Sequence, residues 1–268
     1  MTGTIDLNCD VGEIPALIAD GTEDRLLAQV TSANIACGGH AGDDATMEAT
    51  LRSALRHGCA VGAHPGYDDR EHFGRRRLDL PLERVVAMVR DQVTRIAAMA
   101  RAAGTTLAHV KPHGALYNAA ADDRDLASAI ARGVRAATPH AGAPALVGLA
   151  GSASLEVCRN AGFRVADEAF ADRRYEPDGR LRSRALPGAL LEDPDEAAAQ
   201  AVSIARDGRV TASDGSILEV TAATLCLHGD TPGAVRIAAA VRAALAGAGI
   251  AVAPLAGRTP SARPTHQP

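Results

Sequence analysis

The sequence predicts an α/β domain built as an irregular seven-stranded β/α barrel, and three observations carry that prediction. Short apolar runs of strand length recur along the chain, separated by segments of helical period. Several of the runs stop at a His, Asp, Asn or Lys, as when parallel strands deliver polar groups to one face of a fold. No glycine-rich dinucleotide fingerprint follows the first run, which favours a closed barrel over an open Rossmann sheet. The barrel is expected to occupy residues 1–256 and a disordered tail residues 257–268.

The first strand, Ile5–Cys9, opens onto a loop with Asp10, Gly12 and Glu13, and a short helix is expected near Glu23–Val30. The second, Ala33–Cys37, runs into Gly38, Gly39 and His40, with Asp43 set to cap a helix over Asp44–His57. Strand three, Ala60–Ala63, ends at His64-Pro65-Gly66. The arginine-rich stretch Tyr67–Asp79 is too long for an ordinary connection and reads as a lid. Val85, Met88, Val89, Val93 and Ile96 recur at helical period and predict a helix over Leu82–Ala103 with one buried stripe. Strand four, Leu107–Lys111, carries an apolar run into Lys111-Pro112-His113-Gly114, and a helix follows from near Asp122. Strand five, Ala145–Leu149, empties into Gly151 and Ser152, small residues opening a helix whose first N–H groups suit a phosphate or carboxylate. Strand six, near Phe163–Ala166, leads to Glu168 and Arg174. Asp178-Gly179 and Asp214-Gly215 read as hairpin turns. Strand seven, Thr224–Leu227, ends at His228-Gly229-Asp230, and a helix over Pro232–Ala246 completes the barrel. From Gly257 the chain is polar and proline-bearing, and disorder is expected there.

Composition narrows the partners. A chain of 268 residues with 47% hydrophobic content can bury a large core, but 2% aromatic residues and no Trp leave no stacking platform for single-stranded nucleic acid. A net charge of −4 without a basic run gives no footprint for nucleic acid or an anionic membrane. Small molecules or proteins are the expected partners. The five cysteines are odd in number and form no C-x-x-C pair, which disfavours a disulfide framework and a zinc cluster and fits a reducing compartment. Cys37 and Cys226 adjoin polar strand ends, where small core residues are expected rather than nucleophiles. The N-terminal residues have no signal core, and no stretch approaches the roughly 18 apolar residues of a membrane span, so a cytoplasmic protein is expected.

A single polar strand end is an ordinary turn; His40, His64, His113 and His228 together, each beside glycine or proline, point to one site. The segments DLNCDVGE, SANIACGGHAGD, GAHPGYDD followed by FGRR, HVKPHGALYN, EAFADRRYEPDGRLRSR with PGALL, and LCLHGDTPGAV resemble, in order, the motif series of the 5-oxoprolinase A-subunit family, also known as the LamB/YcsF lactam-utilisation proteins. The resemblance runs from about Asp6 to Ala246 nearly without gaps. It implies ATP-dependent opening of the lactam 5-oxo-L-proline to L-glutamate, ATP as co-substrate, partner subunits B and C, and a barrel similar to those of polysaccharide deacetylases and glycoside hydrolases. Two departures bear on the site near the first two strands: Gly39 stands where many relatives carry Phe, and the Gly12–Leu26 stretch is shorter than usual.

Opening a five-membered amide ring needs a polarised carbonyl, a nucleophile and a proton for the departing nitrogen. The expected catalytic set is Asp10, His64, Lys111, His113, Glu168, His228 and Asp230. Lys111 would stabilise an oxyanion or hold a phosphate, with Arg174 as second cation, while His113, Glu168, His228 and Asp230 would move protons. Asn8, Asn34, Gly38, Tyr117, Gly151, Ser152 and Arg174 are the expected substrate contacts. Asp10, His40 and His64 would form an acid–base cluster or, by analogy with barrel deacetylases, a divalent-metal site with open positions. No Walker or kinase loop is present, so the ATP machinery is expected wholly or partly in the partner subunits. Lys111→Met is expected to fold, since methionine keeps the volume and apolar stem. Two rival functions stand beside this one: a stand-alone metal-dependent deacetylase or amidohydrolase, and a noncatalytic lactam-binding scaffold subunit. The wealth of ionisable groups favours an enzyme, and self-association into a homo-oligomer is left open.

Overall fold

A parallel strand buried on both faces satisfies its backbone only through its neighbours, and a closed ring provides neighbours on both sides. The computed structural model describes residues 3–139 and 142–255. Its strands are β1 (Thr4–Val11), β2 (Ser32–Ala36), β3 (Ala60–His64), β4 (His109–Val110), β5 (Ala145–Leu149), β6 (Val165–Phe170), β7 (Arg209–Thr211), β8 (Ile217–Glu219), β9 (Thr224–His228) and β10 (Ala251–Val252). The parallel ring runs β1-β2-β3-β4-β5-β6-β9, and β9 also pairs with β1, which closes the expected seven-stranded barrel. β10 adds to the start of β1, and β7 and β8 pair antiparallel apart from the ring. The Asp214-Gly215 turn joins that hairpin, and Asp178-Gly179 turns between the bridged residues Tyr175 and Leu181.

The helices are α1 (Pro15–Ala19), α2 (Thr22–Leu27), α3 (Asp44–Arg56), α4 (Leu82–Ala102), α5 (Gly114–Ala120), α6 (Arg124–Ala137), α7 (Ala153–Asn160), α8 (Pro194–Val202) and α9 (Ala234–Gly247). Asp43 caps α3 as expected: its carboxylate accepts from Thr46 N at 2.8 Å while the Asp43 N–H donates to Thr46 Oγ1 at 2.7 Å. On α4 the stripe Val85, Met88, Val89, Val93 and Ile96 is buried. Among the described residues no helix is long and apolar enough to cross a membrane.

Several boundaries differ from the sequence expectation. β4 is shorter than Leu107–Lys111 because Pro112 has no N–H to extend a regular ladder, although Lys111 N and His113 N still donate to Ala63 O at 2.9 Å and Pro65 O at 2.8 Å. The helix expected from near Asp122 is α6, capped by Asp123, whose carboxylate accepts from Leu126 N at 3.0 Å, and the unanticipated helix α5, opened by a glycine, precedes it. β6 lies later than Phe163–Ala166, because Asp167 and Glu168 belong to the strand and not to the loop after it. Helices α1 and α8 stand where no helix was anticipated, and the expected disordered tail from Gly257 lies outside the described residues.

One glycine shows how tightly the interior is filled. His109 Nε2 reaches Asn34 Oδ1 at 2.7 Å by passing over Gly62, its register partner on β3. A Cβ at Gly62 would lie 2.1 Å from that ring nitrogen. Gly62→Ala should therefore destabilise the barrel by about 1–3 kcal/mol, the cost typical of overpacking. Gly247→Ala on α9, where nothing lies within 4 Å of the added methyl, should be neutral or stabilising. Urea midpoints of the two variants check the contrast.

Candidate active site

Side chains on a strand alternate between faces, so every second residue of a barrel strand points inward. Here the inward positions are polar. Asp6, Asn8 and Asp10 on β1 meet Ser32 and Asn34 on β2, His109 on β4, Glu168 on β6 and Thr224 on β9 through a chain of hydrogen bonds. The chain has a direction. Asn8 Oδ1 accepts from Asn34 Nδ2 at 2.7 Å and from Lys111 Nζ at 3.3 Å, so the Asn8 amide donates onward to Glu168 Oε1 at 2.9 Å and Thr224 Oγ1 at 2.7 Å. Burial raises the Asp6 carboxyl to about 6, partly offset by bonds from Ser32, Thr224 and Thr31.

Lys111 stands at the centre of this interior, just beyond β4. Its ammonium lies 3.0 Å from Asp10 Oδ1, 3.0 Å from Glu168 Oε1 and 2.9 Å from Cys226 Sγ. Burial alone would lower its pKa, yet the Asp10 carboxylate, with Cys226 and Glu168, holds it well above the usual lysine value. Asp10 is likewise held well below the usual carboxylate range, as His64 and Lys111 outweigh its burial. Burial pushes the Cys226 thiol well up and the Cys37 thiol up to about 12, so both are protonated packing residues. Tyr117 Oη, next to Glu168, is likewise pushed well up by burial and by that carboxylate.

Beside Lys111 three imidazoles gather around Glu13. His40 Nε2 lies 2.9 Å and His113 Nδ1 3.1 Å from Glu13 Oε1, and His64 Nε2 is 3.3 Å from Asp10 Oδ2. The rings of His40 and His113 stack at 3.6 Å, which leaves no room for a side chain at Gly66 or Gly74: a Cβ at either would come 2.7 Å from the His40 side chain. Phe73, in the left-handed region at φ 54°, turns its carbonyl to His113 Nε2 at 2.9 Å. Burial depresses His40 to about 4, whereas at His64 the Asp10 carboxylate outweighs burial and raises the pKa. Bonds from His113 and His40 overcome burial and hold Glu13 well below its ordinary value.

A cavity of about 870 Å³ opens over these groups. Of the residues singled out by sequence, Asp10, His64, Lys111, His113, Tyr117, Gly151, Ser152 and His228 line it. Asn8, Asn34 and Glu168 lie buried beneath, and His40 sits behind His113. Four expectations are corrected. Arg174 turns outward to Gly188 O at 3.1 Å and Glu196 at 2.7 Å, and Arg173 takes its place on the cavity wall. Gly38 is not a wall residue; its carbonyl accepts from Arg70 at 2.8 Å. Asp230 leaves the inward alternation after β9 ends and pairs with Arg75 and Arg184. The trio Asp10, His40 and His64 is split, because His40 faces Glu13 and not Asp10. Among the described residues, Glu13, His40, His64 and His113 bring four possible ligand atoms within 4.8 Å of one another, and Asp10, Cys226 and His228 bring three.

Glu13, His109, Asp172 and Arg173 were missed. Alternation would have found two of them, since His109 precedes Lys111 by two and Asp172 continues Glu168 and Phe170. Asp172 accepts from His228 Nδ1 at 3.0 Å, and His228 lines the cavity. Arg173 is buried against Ala189 O and Arg182 O, and burial, with Arg184 nearby, pulls its guanidinium down to about 10. Glu13 carried no such signal, since it lies beyond β1 on a loop. The space beside Gly39 is taken by the Gln92 amide, which would lie 2.4 Å from a Cβ there.

The buried pairing puts a stability cost on Lys111→Met, which is expected to fold. Removing the ammonium leaves Asp10 and Glu168 facing each other without a cation, so the variant should lose about 3–5 kcal/mol of stability by chemical denaturation. His109 yields a pH test. Burial, then Lys111, depress its pKa from 6.5 to about 3, so the unfolded chain binds the extra proton between these values. Its contribution is whole above pH 6.5 and is lost as the pH falls toward 3. His109→Gln should flatten the acid slope by up to about 1.4 kcal/mol per pH unit in that window. Urea unfolding at several pH values measures the difference.

With the geometry established, comparison with known proteins identifies the family. The 5-oxoprolinase A subunit of Chloroflexus aggregans is 51% identical over 249 residues, covering 93% of this chain and 98% of that one. The crystal structure of a lactam utilization protein from Thermus thermophilus matches with a TM-score of 0.85 at 44% identity, covering 93% of this chain and 99% of that one. A family 4 carbohydrate esterase from Streptomyces lividans shares the fold alone, with a TM-score of 0.50 at 13% identity over 93% of this chain and 91% of that one. The LamB/YcsF family profile matches residues 5–259, and on these grounds the chain belongs to the LamB/YcsF family.

Proposed function

We propose that this chain is the lactam-opening A subunit of an ATP-dependent 5-oxoprolinase, acting in the cytoplasm with partner subunits B and C to convert 5-oxo-L-proline to L-glutamate. The observation that carries the reading is the Lys111 ammonium, fixed between two carboxylates at the floor of a cavity of about 870 Å³. A preorganised cation in a water-poor site stabilises charge developing on a carbonyl oxygen without reorganising. The volume exceeds a five-membered lactam, and Arg75, Arg173 and Arg184 on its wall suit a phosphate.

The chemistry balances as follows. ATP transfers its terminal phosphoryl group to the lactam carbonyl oxygen and leaves as ADP. Water adds to the ring carbonyl carbon, the C–N bond breaks as the nitrogen takes a proton, and a second water releases phosphate from the resulting acyl phosphate. In this scheme Lys111 faces the carbonyl oxygen or its phosphate. His228, held through Nδ1 by Asp172, keeps Nε2 for the departing nitrogen. Asp10 is the carboxylate nearest His64, and Tyr117, Gly151 and Ser152 supply contacts to the substrate. The five buried thiols are all unpaired, in keeping with a reducing compartment.

Glutamate formation with ATP should require this chain together with subunits B and C. Glutamate made by this chain alone without ATP would instead make it a stand-alone amidohydrolase. His228→Asn should lower kcat of the assembled enzyme about 100- to 10,000-fold with KM near the parent value. Steady-state kinetics of the purified assembly decide it, and an unchanged kcat would remove His228 from proton transfer.

A further inference from the structure

The protonation pattern of two buried histidines can be read from their partners. His64 Nδ1 lies 2.7 Å from the Lys111 carbonyl oxygen, and His113 Nε2 lies 2.9 Å from the Phe73 carbonyl oxygen. A carbonyl only accepts, so each of these nitrogens carries its hydrogen. The nitrogens left over, His64 Nε2 and His113 Nδ1, face each other at 3.0 Å, and in neutral rings both present lone pairs. Glu13 Oε1 adds a third acceptor, 3.1 Å from His113 Nδ1 and 3.7 Å from His64 Nε2. Among the described residues Glu13 pairs with no Lys or Arg; its ion-pair partners are His40, His64 and His113. Asp10 Oδ2 also lies 3.3 Å from His64 Nε2, and the nearby Lys111 ammonium is already engaged by Asp10 and Glu168, so the electron pairs converging on Glu13, His64 and His113 require a positive centre of their own.

We infer that Glu13 Oε1, His64 Nε2 and His113 Nδ1 bind a divalent metal ion of the zinc class, with an open coordination position toward the cavity. The spacing fits. Tetrahedral bonds of about 2.0–2.1 Å set ligand atoms about 3.3 Å apart, and the three separations, 3.0, 3.1 and 3.7 Å, bracket that value. Both imidazoles already donate their second N–H to a backbone carbonyl, the outer bond that fixes tautomer and ring direction in metal-binding histidines. Two imidazoles with one carboxylate select a transition metal over magnesium or calcium. All three residues line the cavity, whereas His40 does not; it bonds Glu13 at 2.9 Å and stacks on His113 at 3.6 Å, and so acts as a positioning residue. The site stands on this geometry alone and does not depend on which reaction the cavity carries.

A proton shared by His64 and His113 is the competing occupant, and metal uptake separates the two. The full-length chain, stripped with a chelator and dialysed against Zn²⁺ or Co²⁺, should retain one ion per chain by elemental analysis. With Co²⁺ it should show visible ligand-field bands of low coordination number. Thermal unfolding of the parent protein should shift up with Zn²⁺ and back down with chelator, a readout that survives even if a ligand variant misfolds. Glu13→Gln and His113→Gln should weaken binding more than ~100-fold, and His40→Gln by ~10- to 100-fold, as for loss of an outer partner. His72→Gln, paired with Asp69 outside the cluster, should bind as the parent does. Folded parent protein that retains no Zn²⁺ and no Co²⁺, or retention that Glu13→Gln and His113→Gln leave unchanged, would overturn the assignment in favour of the shared proton.

Discussion

The interior of this barrel depends on one charge, the Lys111 ammonium held between Asp10 and Glu168 at 3.0 Å each. Taking an ammonium out of water costs several kcal/mol, and only close carboxylates with their own hydrogen bonds offset it. The consequences spread through the inner layer. Because Lys111 also donates to Asn8 Oδ1, the Asn8 amide must point to Glu168 and Thr224, and Asn34 must donate to Asn8 and Asp10. Asn34 Oδ1 is then free to accept from His109. Most barrels of this kind fill the interior with branched apolar side chains; this one fills it with a directional polar chain that is costly to leave half satisfied.

The histidine cluster meets the same constraint from the loop side. His113 is fixed by Phe73 O, and Phe73 adopts a left-handed backbone that a bulky residue takes only when its surroundings hold it there. The ring of Phe73 packs edge-on to His40 and His113 while Gly66 and Gly74 give the stacked imidazoles room. The arginine-rich stretch Tyr67–Asp79 contributes to the wall: Phe73 O holds His113 and Arg75 faces the cavity. A site built this way has its charges oriented before any substrate arrives, which is the condition for strong electrostatic catalysis.

How much of this was legible can be judged from particular residues. The strand ends pointed to His40, His64, Lys111, His113 and His228 as one cluster, because an apolar run carrying a charge inward needs company for it; all but His40 line the cavity. Nothing local in the sequence separates Arg174 from the adjacent Arg173; the chain leaves β6 before them, and the direction of each depends on the bridge between Arg173 and Leu190. The polarity of Glu168 suggests a loop residue, yet it is a buried strand position paired with Lys111 across the barrel.

The sequence by itself determined the ring of parallel strands, the capped and striped helices, and the face on which polar groups collect. These follow from local periodicity, from turn and cap chemistry, and from the rule that strand ends share a rim. Only the tertiary structure decided which groups touch. Glu13 meets three histidines drawn from separate parts of the chain, and Lys111 meets carboxylates 101 residues before it and on β6, contacts fixed by ring closure and strand register. A sequence records which side of a strand a residue faces, but distances across a closed barrel are set only when the last strand pairs with the first.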